Sequence, residues 1–189
     1  MALTPSTMLP LGTPAPDFQL PDVVSGASRR YADVAGDRAT VVMFICNHCP
    51  YVVHVRAQLV ALAADYLPQG AGFVAISAND AGSYPEDGPD AMRALAQREK
   101  FPFPYLYDES QQVARAYQAA CTPDFYLFDR QHRCVYRGQL DGSRPGNGVA
   151  VTGKDLRAAL DRVLAGEPVS ADQQPSVGCN IKWVSPAVS

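Results

Sequence analysis

Thr40-Val41-Val42-Met43-Phe44-Ile45-Cys46-Asn47-His48-Cys49-Pro50-Tyr51-Val52 decides how this chain is read. Val41 to Cys46 is an unbroken apolar run, rich in β-branched and aromatic side chains. Such a run suits a strand buried on both faces of a sheet. Two cysteines follow with two residues between them. Pro50 stands where a helix can begin, because a first-turn N–H has no intrahelical partner to lose. From there Val52, Val55, Leu59, Leu62 and Tyr66 recur at helical spacing. The segment reads as buried strand, dithiol, helix. Unpaired N–H groups and the positive end of the dipole gather at a helix N-terminus, so an anionic sulfur is favoured there. His48, between the cysteines, adds positive charge when protonated. The same pair also fits half of a zinc site, or two unrelated buried thiols.

The chain has 189 residues, 47% hydrophobic and 19% charged, which suits one domain with a sizeable core. Its formal charge of −3 gives no electrostatic case for nucleic acid or an anionic membrane. Met1 to Gly12 holds no Lys or Arg and no apolar stretch of signal length, so a cytoplasmic protein is expected. Five cysteines do not make a disulfide scaffold, and their odd number leaves one unpaired within a monomer.

Along the chain, Met1 to Pro16 is expected to be extended or poorly ordered at its start. Phe18 and Leu20 share one face of a short strand, and a strand or helix follows near Tyr31 to Val34. Phe73 to Ile76 is a second buried strand. Asp90 is placed as the cap of a helix over Ala91 to Lys100, and Ser110 as the cap of one through Tyr117. Phe125 to Phe128 and Arg133 to Arg137 form a hairpin. Gly148-Val149-Ala150-Val151-Thr152-Gly153-Lys154 imitates a phosphate-binding loop, but Asp155 stands where Ser or Thr would hold magnesium. Thr152 with Asp155 reads instead as a capping box for a helix ending at Gly166. From Glu167 a polar tail leads into Gly178-Cys179-Asn180-Ile181-Lys182-Trp183, which is expected to dock on the domain.

Strand–Cys-x-x-Cys–helix resembles the thioredoxin superfamily. Gly12-Thr13-Pro14-Ala15-Pro16-Asp17-Phe18-Gln19-Leu20 resembles the entry of redoxins and peroxiredoxins, and Phe44 to Val52 resembles a peroxiredoxin-like branch of thioredoxin family proteins. The resemblance implies an α/β thioredoxin-like fold: a mixed central sheet flanked by helices, with an N-terminal extension and a C-terminal tail over 167–189. It implies a cis-proline at Thr122-Pro123, packed against the dithiol. It implies thiol–disulfide oxidoreduction. Cys46, the first and expected to be the more exposed, attacks; Cys49 resolves; a histidine at position 48 stabilises the thiolate. Cys179 and Cys121 are candidate additional redox thiols, whereas Cys134 is expected in the core and His54 on the surface.

Two rival readings stand beside this one. In peroxiredoxins the peroxidatic position corresponds to Cys49, but the Pro and Thr that orient peroxide ahead of it are missing here. A copper- or zinc-binding module would use Cys46, Cys49 and a histidine. No cofactor is expected. The partners implied are a protein or small-molecule disulfide or dithiol, and a thioredoxin- or glutathione-type reductant.

Overall fold

The computed structural model describes residues 3–185; Met1, Ala2 and the last four residues of the expected tail lie outside that range. In chain order the elements are β1 (Leu3–Pro5), β2 (Gln19–Pro21), β3 (Ser28–Arg30), α1 (Tyr31–Val34), β4 (Ala39–Phe44), α2 (Pro50–Tyr66), β5 (Ala71–Ser77), α3 (Pro89–Arg98), β6 (Tyr105–Tyr107), α4 (Gln112–Ala116), β7 (Cys121–Thr122), β8 (Asp124–Asp129), β9 (Cys134–Gly138), α5 (Lys154–Ala165) and β10 (Val177–Asn180).

The apolar run becomes β4, the middle strand of a five-stranded mixed sheet ordered β6-β5-β4-β8-β9. β4 pairs parallel with β5 and antiparallel with β8. All six of its residues are buried, because both faces of the sheet are covered. Successive side chains of a strand point to opposite faces. Val41 and Met43 therefore pack with Val52, Leu59 and Leu62 of α2 and with Leu156 and Leu160 of α5. Val42 and Phe44 pack on the other face with Val74, Ile76, Tyr117, Tyr126 and Phe128. Burying one such side chain contributes about 1.5–3 kcal/mol, so the two clusters, rather than helix propensity, hold the sheet.

Several helix starts differ from the sequence reading, and at α4 and α5 a better-placed carboxylate accepts the N–H groups. α3 begins at Pro89 with Gly88 as its cap, and Asp90 falls inside the first turn. Before α4, Ser110 accepts from Gln112 N–H at 3.3 Å, but Asp108 binds the deeper Ala114 N–H at 2.8 Å and Gln111 occupies the cap position. At α5, Asp141 accepts from both Thr152 N–H and Gly153 N–H, at 2.7 and 2.6 Å. Asp155 turns to Gln139 Nε2 instead of closing a capping box with Thr152.

From Leu3 the chain is extended, one of the two alternatives expected there. β1 and β7 flank β10 in a separate three-stranded sheet, Leu3 opposite Cys179 and Cys179 opposite Thr122. The approach of β10 to β7 is so close that a Cβ on Gly178 would collide with the Thr122 carbonyl. Among the described residues, no helix is long and apolar enough to cross a membrane.

Candidate active site

β4 ends at Phe44, and the chain turns through Ile45 to His48 before α2 begins. Cys49 is the N-cap residue of α2, with extended backbone, and Pro50 takes the first helical position. That local sequence places the Cys49 sulfur at the helix N-terminus, where the Val52 N–H reaches it. Cys46 lies on the approach to the helix and was expected to be exposed. It is 1% exposed, sealed in the same cluster as Cys49 at 0% and Cys179 at 3%.

Thr122 and Pro123 bring the other wall. The Thr122–Pro123 bond is cis. Cys46 Sγ lies 3.4 Å from Thr122 Oγ1, and Cys49 Sγ lies 3.2 Å from the Thr122 carbonyl oxygen. The third wall is the tail: Cys179 Sγ is 2.8 Å from Cys49 Sγ. Sequence reasoning gave Cys179 no position, because the two cysteines are 130 residues apart.

Four donors converge on one sulfur, the Thr122 side chain the weakest of them. The Cys46 thiol above all, then the Cys179 thiol and the Val52 N–H, outweigh burial and bring the Cys49 thiol down to about 5 from an ordinary 9.0. Its neighbours move the other way. Cys46 is held well above the usual range, first by its hydrogen bond to Cys49, then by burial and the Asp87 charge. Cys179 is pushed up to about 12, first by burial and then by its hydrogen bond to Cys49. Two protons shared among three sulfurs thus leave Cys49 as the favoured thiolate.

The residues between the cysteines are clamped by a loop that the sequence presents only as rich in Asp, Gly, Ser and Pro. Asp87 is fully buried. Its Oδ1 accepts from Asn47 N–H at 2.7 Å and His48 N–H at 3.3 Å, and its Oδ2 accepts from Asn79 Nδ2 at 2.7 Å. His48 Nδ1 stands 2.6 Å from Asp87 Oδ2, and its ring stacks on Tyr84 with centroids 5.6 Å apart. Tyr105 donates to Asn47 Oδ1 at 3.1 Å. Asp87, Asn79 and Tyr84 belong to no short motif, and 39 to 40 residues of chain separate Asp87 from the backbone it binds.

Cys46, His48 and Asp87 have donor atoms within 4.8 Å of one another. Two ligands of one zinc, each about 2.0–2.3 Å from it at tetrahedral angles, stand roughly 3.3–3.8 Å apart. The His48–Asp87 separation of 2.6 Å is well short of that, and the other Asp87 contacts are hydrogen bonds. The His48–Asp87 spacing is that of a close polar contact rather than of two ligands on one ion.

Cys121 does not join the thiols. It is fully buried in β7, its Sγ directed at the Pro123 carbonyl oxygen at 3.7 Å. Cys134 is a core residue of β9. His54 is half-buried rather than on the open surface, its Nε2 2.7 Å from Ser143 Oγ.

With this geometry in view, similarity to known proteins is informative. The chain belongs to the AhpC/TSA family, whose profile matches residues 11–137, well over half of its length. A search among curated protein sequences found no match. Among solved structures, it resembles an uncharacterized conserved protein from Geobacillus kaustophilus at 59% identity and a TM-score of 0.97, with 99% of each chain covered. A hypothetical protein from Sinorhizobium meliloti is 50% identical at a TM-score of 0.94, over 97% of this chain and 100% of that one. A Chlorobium tepidum protein described as a thiol:disulfide interchange protein, DsbE, is 25% identical at a TM-score of 0.63, over 82% of this chain and 99% of that one. The fold is thioredoxin-like: a central mixed sheet flanked by helices.

Proposed function

We propose that this chain is a thiol–disulfide oxidoreductase in which Cys49, rather than Cys46, supplies the reacting thiolate. The observation that carries the reading is the Cys49 sulfur at the N-cap of α2, with thiol donors on two sides and its acidity raised to match. Membership of the AhpC/TSA family supports a redox function in general. The Cys49 thiolate attacks one sulfur of a substrate disulfide, protein or small molecule, and the other sulfur leaves as a thiolate. A neighbouring thiol then attacks Cys49 and releases the second substrate sulfur. The substrate ends as two thiols and the protein as a disulfide. A thioredoxin- or glutathione-type reductant resets it, as the cytoplasmic setting expected from the sequence would supply.

A stabilised thiolate favours the reduced protein and so raises the potential of the couple. The test is a redox-buffer titration with alkylation of the remaining thiols and mass mapping. The expected midpoint lies above thioredoxin's value of about −270 mV but within reach of the glutathione poise of about −220 to −260 mV, well short of the strong oxidants near about −120 mV, because the protein is to reduce a substrate disulfide. A midpoint below about −270 mV, or no disulfide at Cys49 at any poise, overturns the reading.

Peroxide reduction is a second reading, favoured by the same Cys49 thiolate together with the family match. Reduced protein mixed with one equivalent of hydrogen peroxide consumes it stoichiometrically if that reading holds. Unchanged peroxide removes it.

A further inference from the structure

We propose that Cys179 is the thiol that resolves Cys49, so that the C-terminal strand β10 is part of the reacting machinery. This rests on the thiol-exchange reading above and adds the route by which it completes. Four observations meet at this sulfur. Cys179 Sγ stands 2.8 Å from Cys49 Sγ, inside the roughly 3.5–4.0 Å of ordinary nonbonded contact. Its strand is held in register on both sides, against Thr4 and Pro5 of β1 and against β7, whose Thr122 carbonyl faces Cys49. Gly178 permits the close approach that sets the next residue's depth. The flanking tail is fastened as well: Ser176 Oγ donates to the Pro123 carbonyl at 2.6 Å, and Lys182 N–H to Asn79 Oδ1 at 2.9 Å.

The charges around the two possible resolving thiols separate them. Once Cys49 is in a mixed disulfide it carries no charge. Burial still opposes a Cys179 thiolate, but the two influences of Cys49 on it are gone and the Lys182 charge favours ionisation. Cys46 also loses the influence of Cys49, yet it still faces the Asp87 carboxylate, which opposes ionisation. Cys179 is therefore the easier thiol to activate at that step.

The balance is simple. Cys49 thiolate and substrate disulfide give a Cys49–substrate disulfide and one substrate thiolate. That thiolate takes the proton of Cys179. Cys179 then bonds to Cys49 Sγ, the sulfur–sulfur bond to substrate breaks, and the second substrate thiolate leaves. Two protein thiols are oxidised and one substrate disulfide is reduced.

Glutathione disulfide serves as the probe. Reduced full-length protein is mixed with one equivalent, quenched in acid at successive times, alkylated and digested with trypsin. Cys46 and Cys49 share the peptide 39–56, whereas Cys179 lies in 163–182. The expected product joins those two peptides, and Cys46→Ser still forms it. In Cys179→Ser the glutathione adduct on Cys49 should decay at least about tenfold more slowly than in the wild type. A cross-link that appears first and later passes to a Cys46–Cys49 loop supports the proposal equally. A wild type that forms only the Cys46–Cys49 loop overturns it and leaves the exchange reading standing. Absence of both disulfide and adduct at Cys49 overturns both. Far-ultraviolet circular dichroism of each variant confirms that the comparison is between folded proteins.

Discussion

All five cysteines are buried, yet two regions of the molecule treat them in opposite ways. In the sheets, the sulfurs of Cys121 and Cys134 lie against backbone carbonyls, Pro123 at 3.7 Å and Tyr136 at 3.5 Å. A carbonyl accepts a thiol proton and offers nothing to a thiolate. Burial therefore dominates, pushing Cys134 up to about 11 and Cys121 further still, the latter helped by the Asp124 charge. At the start of α2 the sulfur of Cys49 is no less buried and also meets a carbonyl, that of Thr122 at 3.2 Å, but thiol and N–H donors reach it as well and its thiol falls to about 5. Exclusion from water alone makes a cysteine inert; exclusion from water plus converging donors makes it a nucleophile.

The largest effect that contrast predicts is on turnover. Cys49→Ser should lower glutathione-disulfide consumption by about 1000-fold or more, since a hydroxyl in that place stays protonated. Cys134→Ala should keep turnover within about twofold and lose about 0.5–3 kcal/mol of stability by denaturant titration. Equal losses of turnover in the two variants would erase the distinction between the regions.

A pH titration sharpens the same contrast. The ultraviolet absorbance of thiolate in the reduced protein should rise with a midpoint near 5, and the step should vanish in Cys49→Ser. The sign of the stability effect follows. Cys49 has a folded pKa below its unfolded one, so its contribution is full above about 9 and is lost as pH falls through about 5. Cys46 and Cys179 have raised values, so theirs is full below 9 and is lost as pH rises beyond it. The thiols together favour the folded, reduced protein most near pH 9, and their support weakens as pH falls from there towards 5. Denaturant midpoints that stay flat from pH 4 to 7 in wild type and Cys49→Ser alike would contradict this.

Periodicity carried much of the fold. The β4 run and the stripe of Val52, Val55, Leu59 and Leu62 are local patterns, and a local pattern is legible without coordinates. Cys46, Cys49, Thr122 and Pro123 were legible because each sits in a short motif, and the structure brings them together. The order of reactivity proposed above for the dithiol was not. It depends on Cys179, which arrives through the pairing of β10 with β7, and on Asp87, which arrives from a loop. Caps were misplaced for a related reason. Thr152 looks like a cap for α5 by spacing, but Asp141, eleven and twelve residues earlier, holds the N–H groups.

Asp87 offers the smallest and most discriminating test of the contrast, because it acts on the donor-lined region without being a thiol. Its Oδ1 holds Asn47 and His48 by their backbone, and its Oδ2 meets Asn79 and the His48 ring. Asp87→Asn keeps an oxygen for one set and turns an amide NH2 toward donors on the other. Leaving a buried donor without its acceptor costs about 1–3 kcal/mol, so the denaturant midpoint should fall. A purely structural clamp would do only that. The negative charge of Asp87 also helps hold Cys46 in its thiol form, so removing it should bring the second thiolate step to lower pH. With Cys46 easier to ionise, the Cys46–Cys49 loop should gain on the Cys49–Cys179 cross-link after oxidation by glutathione disulfide. A variant that loses stability while both the titration and the ratio of disulfides stay as in the wild type would confine Asp87 to scaffolding. It would also leave the donors around Cys49 as the whole source of its acidity.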